Sequence, residues 1–377
     1  MIDTVILAIP REKIKTIDDS RYPKWQLHSS GKGFTKWVKN TIKEESDRGL
    51  SYIKLTGFQR NTGKNCFVNG VNIEFSVAKL IKQNNLNEVR EQEFNLVINT
   101  LQKRLQDMGE IISTKDLEYA TVSAFHPSKN IVLSDGYTAS SIIKELSKIN
   151  INMKFDKTDV VFSNDGVSLQ IRTESHSIVF YDKISDMAKD SKKAIDKDAS
   201  PYQQLLFTDI KKKMPILEVL RLEVRLSKKR KMKEVMKKFG FAEEPVFRDI
   251  FKKDVCQKIV RWYWEEIIKG ENLFLFELIN SPKRLLRKIV KENKNIKAKQ
   301  VIFLIGLSVL CKDEGGIREL RQILSRCTKQ RNWYRLADGI KLLNKIANKR
   351  SLHSWVQQID QAVDNFDCLQ LDISKIT

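Results

Sequence analysis

Apolar and polar residues alternate with a period of two in several stretches of the first 228 residues, the mark of strands that bury one face. Val71, Ile73, Phe75 and Val77 share one face and Asn72, Glu74 and Ser76 the other. Leu220, Leu222, Val224 and Leu226 likewise oppose Arg221, Glu223 and Arg225. Near the start, Val5, Leu7 and Ile9 alternate with Thr4, Ile6 and Ala8, which predicts a strand buried on both faces before Pro10. Shorter strands are expected over 120–125, ending at His126-Pro127, and over 167–172 and 177–181, joined by a polar turn. The period lengthens at 88–108, where Phe94, Val97, Ile98, Leu101 and Leu105 predict a helix. A second helix is expected over 139–149, after a turn at Asp135-Gly136. Residues 11–64 read as a polar stretch carrying Trp25, Phe34 and Trp37, and two short strand-like pieces flank 59–64, which reads as a hairpin tip.

Beyond residue 228 the strand pattern stops. Basic helices are expected from 228 to 240, an apolar and aromatic stripe with Trp262 and Trp264 over 247–268, and short Lys/Arg-rich helices from 281 onward. The apolar run 301–310, flanked by Lys299 and Lys312, predicts a core helix; it is about half the ~20 residues that span a bilayer. The expected class is α+β: an antiparallel or mixed sheet with flanking helices over 1–228, then an all-α, basic domain over 229–377. Within the latter, 315–344 reads as a helix-turn-helix, with Arg331, Arg335 and Lys341 placed to meet DNA, or equally as a bundle that only packs on the first domain.

Charge narrows the function. The 377 residues hold 68 Lys and Arg against 47 Asp and Glu, a net +21, and such self-repulsion is relieved by a polyanion, of which nucleic acid is the commonest. The run Lys228, Lys229, Arg230, Lys231 is a phosphate-contact candidate whose ordinary alternative is a solvated helix face. Trp25 and Trp37, set among basic residues, suit either the core or stacking on unpaired bases. Five scattered cysteines without CxxC spacing argue against a disulfide framework and a zinc site. The first residues lack a basic signal-peptide region, so a cytoplasmic location and no membrane partner are expected.

Glu74, His126 and Glu223 each fall on or at the end of a strand, and a mixed O/N set of this kind suits Mg²⁺ or Mn²⁺. Tyr181 ends another strand. A tyrosine beside such a metal is able to attack a phosphodiester, given a cation or base to help ionise a phenol with a pKa near ~10. Lys183, Lys129 and Arg225 are the candidates, and Lys129 and Arg225 are also expected to contact DNA. The plain alternatives are a solvated glutamate at 74, a surface ion-pair row around Glu223, a turn histidine at 126 and an edge aromatic at 181.

Several segments, in order, resemble those of the filamentous-phage gene II-type replication initiators. They are Met1-Ile2-Asp3 with a strand ending Ile9-Pro10, Ile73-Glu74-Phe75-Ser76 before Ala78-Lys79-Leu80, Ile178-Val179-Phe180-Tyr181-Asp182-Lys183, and Leu220-Arg221-Leu222-Glu223-Val224-Arg225-Leu226. The matches cover roughly residues 1–240. The resemblance implies a nicking-endonuclease-like catalytic domain that cuts one strand of double-stranded origin DNA through a covalent 5′-phosphotyrosine at Tyr181, with Glu223 as the family's acidic residue. It also implies later rejoining of single-stranded product, and a host helicase and polymerase as partners. The chain departs from some relatives in having Ser123 where they carry an aspartate, and it lacks a His-hydrophobe-His pair. A DNA-binding repressor or replication factor without chemistry, and a related relaxase or transposase, are the competing readings.

Overall fold

The computed structural model describes residues 1–31, 33–41, 53–61, 67–149, 159–163, 167–187, 201–214, 216–270, 272–279, 281–313, 315–327, 331–348 and 351–371. Twelve strands are described: β1 (Ile2–Pro10), β2 (Lys15–Thr16), β3 (Gln26–Gly31), β4 (Phe34–Asn40), β5 (Ile53–Asn61), β6 (Phe67–Ser76), β7 (Glu110–Ile111), β8 (Thr121–Val132), β9 (Asp159–Ser163), β10 (Ser168–Arg172), β11 (His176–Asp182) and β12 (Val219–Leu226). Ten of them form one sheet in the order β3-β4-β5-β6-β1-β8-β12-β11-β10-β9, every neighbouring pair antiparallel, while β2 and β7 pair separately. The class is mixed α+β with a large antiparallel sheet.

Helices α1 (Val77–Lys82), α2 (Phe94–Asp107), α3 (Thr114–Glu118), α4 (Ala139–Ser147), α5 (Lys183–Met187) and α6 (Pro201–Lys213) lie between strands. After β12 come α7 (Lys229–Lys238), α8 (Phe247–Ile250), α9 (Lys253–Trp262), α10 (Pro282–Glu292), α11 (Ala298–Lys312), α12 (Gly316–Cys327), α13 (Arg331–Ile346) and α14 (Ser354–Asn365). The helix α9 continues through Lys269 with a π-helical turn. Among the described residues no helix is long and apolar enough to cross a membrane.

Local chemistry explains several boundaries. The Ser76 hydroxyl accepts from Lys79 N and caps α1, so β6 stops at Ser76 and Val77 opens the helix instead of closing the expected strand. Asp135 and Gly136, both at positive φ (59° and 74°), make the turn before α4, and Thr138 caps that helix. In β1, Val5, Leu7 and Ile9 are buried whereas Thr4, Ile6 and Ala8 are partly exposed, so the strand buries one face fully and not both.

Three further expectations are corrected. First, β8 does not end at His126-Pro127 but runs to Val132. Pro127 has no N–H for the ladder, and it sits by a register irregularity opposite Ile2 while Ser128 N donates to Met1 O at 2.8 Å. Second, the polar stretch 11–64 contains, besides the expected strand before the 59–64 turn (β5), the strands β3 and β4, whose residues are mostly half or fully exposed; residues 62–64 of that turn lie outside the described residues. Third, α11 is only half a core helix: Val301, Leu304 and Leu307 are buried, but Ile302 is 70% exposed and Val309 and Leu310 54% each, because α10, α12 and α13 cover one side.

One hydrophobic cluster extends from β1 through the sheet into α14. The helices α7, α9 and α14 pack on β8, and α7 and α9 also on β12, so the core passes residue 228 without a break. On the opposite face Val219 joins Leu86, Met187, Leu206 and Ile210 in a smaller cluster under α5 and α6. The last described residues form a strap. Leu369 N donates to Glu88 Oε2 (2.8 Å) and Glu88 N to Leu369 O (2.9 Å), while Leu371 N donates to Asn87 Oδ1 (2.7 Å). The Glu88 carboxylate also accepts from Asn130 N (2.8 Å), replacing a strand neighbour at the edge of β8 beyond Met1.

Candidate active site

The alternation in β12 sends Leu220, Leu222, Val224 and Leu226 into the main core and leaves Arg221, Glu223 and Arg225 on the other face. Antiparallel register then sets their neighbours. Tyr181 of β11 stands opposite Arg221, and Ser128 and Asn130 of β8 stand opposite Glu223 and Arg221. His126 precedes Ser128 by two residues and shares its face.

These side chains meet around Glu223, which is 1% exposed. Tyr181 Oη donates to Glu223 Oε2 at 3.3 Å. Arg225 Nε donates to Oε1 at 2.8 Å, His126 Nδ1 lies 3.4 Å from Oε1, and Arg221 Nε lies 4.0 Å from Oε2. Burial pushes the Glu223 carboxyl up, but Arg225, His126 and Arg221 outweigh it and hold the group well below the usual carboxylate range. Arg221 is anchored by Asp3 Oδ1 (2.8 Å), Ser128 Oγ (3.0 Å) and Asn85 O (2.8 Å). Arg221 and Asp3 lie on the network without having been assigned a role from sequence; the polar phase of β12 and the Met1-Ile2-Asp3 start are the signals that pointed at them.

Tyr181 is half-buried. Burial raises its phenol well above 10, with Arg221 opposing and Glu223 adding to the rise, so the resting group is the protonated donor. Asp182, which closes β11, accepts from Ser185 N (2.9 Å) and so caps the turn that carries Lys183. Lys183 is fully buried, with Nζ 5.3 Å from the Tyr181 ring centroid and 3.3 Å from Asp186 Oδ2. Burial pulls its ammonium from 10.5 to about 8 against the attraction of Asp186.

The expected three-residue metal set does not come together. Glu74 projects from the same face, since it pairs with Ile6 and Ile6 with Ala124, but it stands three strands from β12, about 14 Å away. It faces Lys54 at 3.7 Å instead. Among the described residues no three His, Cys, Asp or Glu side chains are grouped to hold a metal ion. His126 and Glu223 do adjoin, though Glu223 already carries two arginines. The residues as placed do not fit the expected cage.

The remaining predicted contacts divide. Lys129 is buried, its Nζ 2.6 Å from Glu88 Oε2 and 2.6 Å from Asp367 O, so it fastens the strap and does not reach DNA. Lys228, Lys229 and Arg230 are exposed and Lys231 half-exposed at the start of α7, where Arg230 and Lys231 pair with Glu234. Arg225 is 35% exposed at the rim of the network. In the helical region α12 and α13 both pack on α11; Arg335 is exposed, while the 328–330 connection and the Arg331 side chain lie outside the described residues.

The chain matches no family model, no curated protein and no solved structure.

Proposed function

We propose that this chain is a DNA-nicking replication initiator of the gene II-type family, acting in the cytoplasm on a phage or plasmid origin through a nicking-endonuclease-like sheet. The observation that supports it is the Tyr181 hydroxyl held 3.3 Å from a buried carboxylate, with Arg221, Arg225 and Lys183 around it. A tyrosine beside concentrated positive charge suits attack on a phosphodiester, whose transition state gathers negative charge on its oxygens. In this reading Glu223 orients the phenol and is too weak a base to ionise it. Lys183, neutral for part of the time near pH 8, takes the phenol proton through a water. The Tyr181 oxygen bonds to phosphorus, the P–O3′ bond breaks, and the 3′ oxygen leaves as a hydroxyl with a proton from solvent. Attack of a 3′-hydroxyl on the phosphotyrosine reverses the step and rejoins the strand. Arg225, at the rim, meets the scissile phosphate, and the exposed start of α7 follows the flanking duplex. Work with a host helicase and polymerase belongs to the same proposal, as does dependence on Mg²⁺ or Mn²⁺, for which His126 and Glu223 are the ligands left once Glu74 stands apart.

The test is a supercoiled origin-bearing plasmid with Mg²⁺ or Mn²⁺, scored for open circles and protein-linked 5′ ends. Tyr181→Phe is expected to lose both while binding duplex as before; nicking that persists in this variant refutes the assignment. A second reading, a DNA-binding repressor or replication factor without chemistry, draws on the full engagement of Glu223 by arginines, since such networks also serve purely as structure. A relaxase or transposase would use the same step on a different DNA.

A further inference from the structure

The strands β3, β4, β5 and the outer half of β6 form a wing of the sheet remote from β11 and β12. The described residues of this wing, 26–31, 34–40, 53–61 and 67–73, contain no Asp or Glu but four Lys or Arg. By register, Trp37, Gly57 and Val71 align across one face, with Gln59 and Asn69 aligned beside them. This is the continuation of the face that buries Leu55 and Ile73 in the core. Here it opens as a groove of about 320 Å³, lined by Arg11, Trp25, Trp37, Gly57, Gln59 and Asn69 among others.

The groove is built. Trp25 Nε1 donates to Glu110 Oε1 at 2.9 Å, and the same carboxylate is neutralised by buried Lys39 at 2.7 Å, so the indole is fixed and no free negative charge stands behind it. Gly57 makes room for it: a Cβ there would lie 3.3 Å from the Trp25 ring. Two half-buried indoles and two side-chain amides, with Arg11 in the lining and the carboxylate behind Trp25 neutralised by Lys39, match one ligand chemistry, a planar heterocycle with donors and acceptors at its edge attached to a phosphate chain.

We infer that the Trp25–Trp37 groove binds an unpaired base of single-stranded DNA, as a subsite separate from the cut. It faces away from Tyr181, since Gly57 and Val71 lie on the opposite face of β5 and β6 from Lys54 and Glu74, whose face Tyr181 shares. The inference rests on the nucleic-acid reading above and adds a place to hold displaced strand away from the nucleophile.

The experiment uses the full chain carrying Tyr181→Phe, so that no DNA is cut, and fluorescein-labelled oligothymidylate read by anisotropy. Trp37→Leu keeps an apolar strand residue and removes the ring; Trp37→Phe keeps an aromatic face. The leucine variant is expected to bind single strands about tenfold more weakly or worse, with duplex affinity unchanged, and the phenylalanine variant to stay within about threefold of its parent. Equal affinity in the leucine variant, or equal losses in both, overturns the inference. Nicking is scored separately on supercoiled plasmid with Tyr181 intact. If plasmid is never cut yet Trp37→Leu loses single-strand binding, the groove stands and the nicking proposal falls.

Discussion

Burying an ammonium group has a measurable signature in pH, and Lys183 offers it. Its side chain is fully buried, and its pKa falls from 10.5 to about 8. In the unfolded chain the amine holds its proton to about 10.4. Between pH 8 and that value the unfolded state therefore binds more protons than the folded one, so stability rises with pH across this window. The fall corresponds to about 3 kcal/mol, a burden present in full below pH 8 and relieved as the proton is lost. Lys183→Met removes the burden, so the variant is expected to be more stable than the parent at pH 7 by up to about 3 kcal/mol, less what Asp186 loses with its partner. By pH 10 the advantage should have largely gone. Urea denaturation followed by circular dichroism at several pH values measures this directly. Parallel stability profiles for parent and variant refute the buried-amine account. The same titration bears on activity. If the neutral amine accepts the Tyr181 proton, nicking by the parent rises about tenfold from pH 7 to pH 9, as the neutral fraction does. Lys183→Arg, which cannot deprotonate, should lose both the rise and most of the rate.

Two further outcomes separate the groups around Tyr181. Glu223→Gln takes the counter-charge from Arg221 and Arg225 and is expected to cut the nicking rate about a hundredfold or more, whereas Glu74→Gln, three strands away, should stay within about twofold. Plasmid nicking with both variants checks this, and equal losses would return Glu74 to the site. Glu88→Ala strands buried Lys129 and the N–H groups of Asn130 and Leu369. It is expected to cost about 3–5 kcal/mol in urea denaturation, and a loss below about 1 kcal/mol would show that the strap is not held there.

The strands with one apolar and one polar face were legible residue by residue. The limits of β12 and its division into core and polar phases follow from the alternation of 219–226, and α4 and the body of α2 from helical spacing, although α2 begins at Phe94 and not at 88. What pattern missed was β3 and β4, because a strand in an exposed wing buries too little for hydrophobic periodicity to register. The extension of β8 past Pro127 depends on Met1 and Glu88, partners distant in sequence that periodicity cannot supply. Of the site, Tyr181, Glu223, His126 and Arg225 do converge. Glu74 does not, because sharing a face says nothing about how many strands intervene. Lys129 was misread because the strand was expected to end at His126-Pro127; its continuation puts Lys129 in phase with Phe125 and Ile131, facing inward.

The strap gives the molecule an order of assembly in time. Glu88 and Leu369 are 281 residues apart, and the loop 84–89 that Glu88 fixes also supplies Asn85 O to Arg221. A chain emerging from the ribosome builds its sheet long before residues 367–371 are free to dock. Until they do, Lys129 lacks the Asp367 carbonyl and the Arg221 wall is incompletely braced. Synthesis and completion of this network are thereby separated: a chain still short of residues 367–371 carries Tyr181 but not the finished brace behind Arg221.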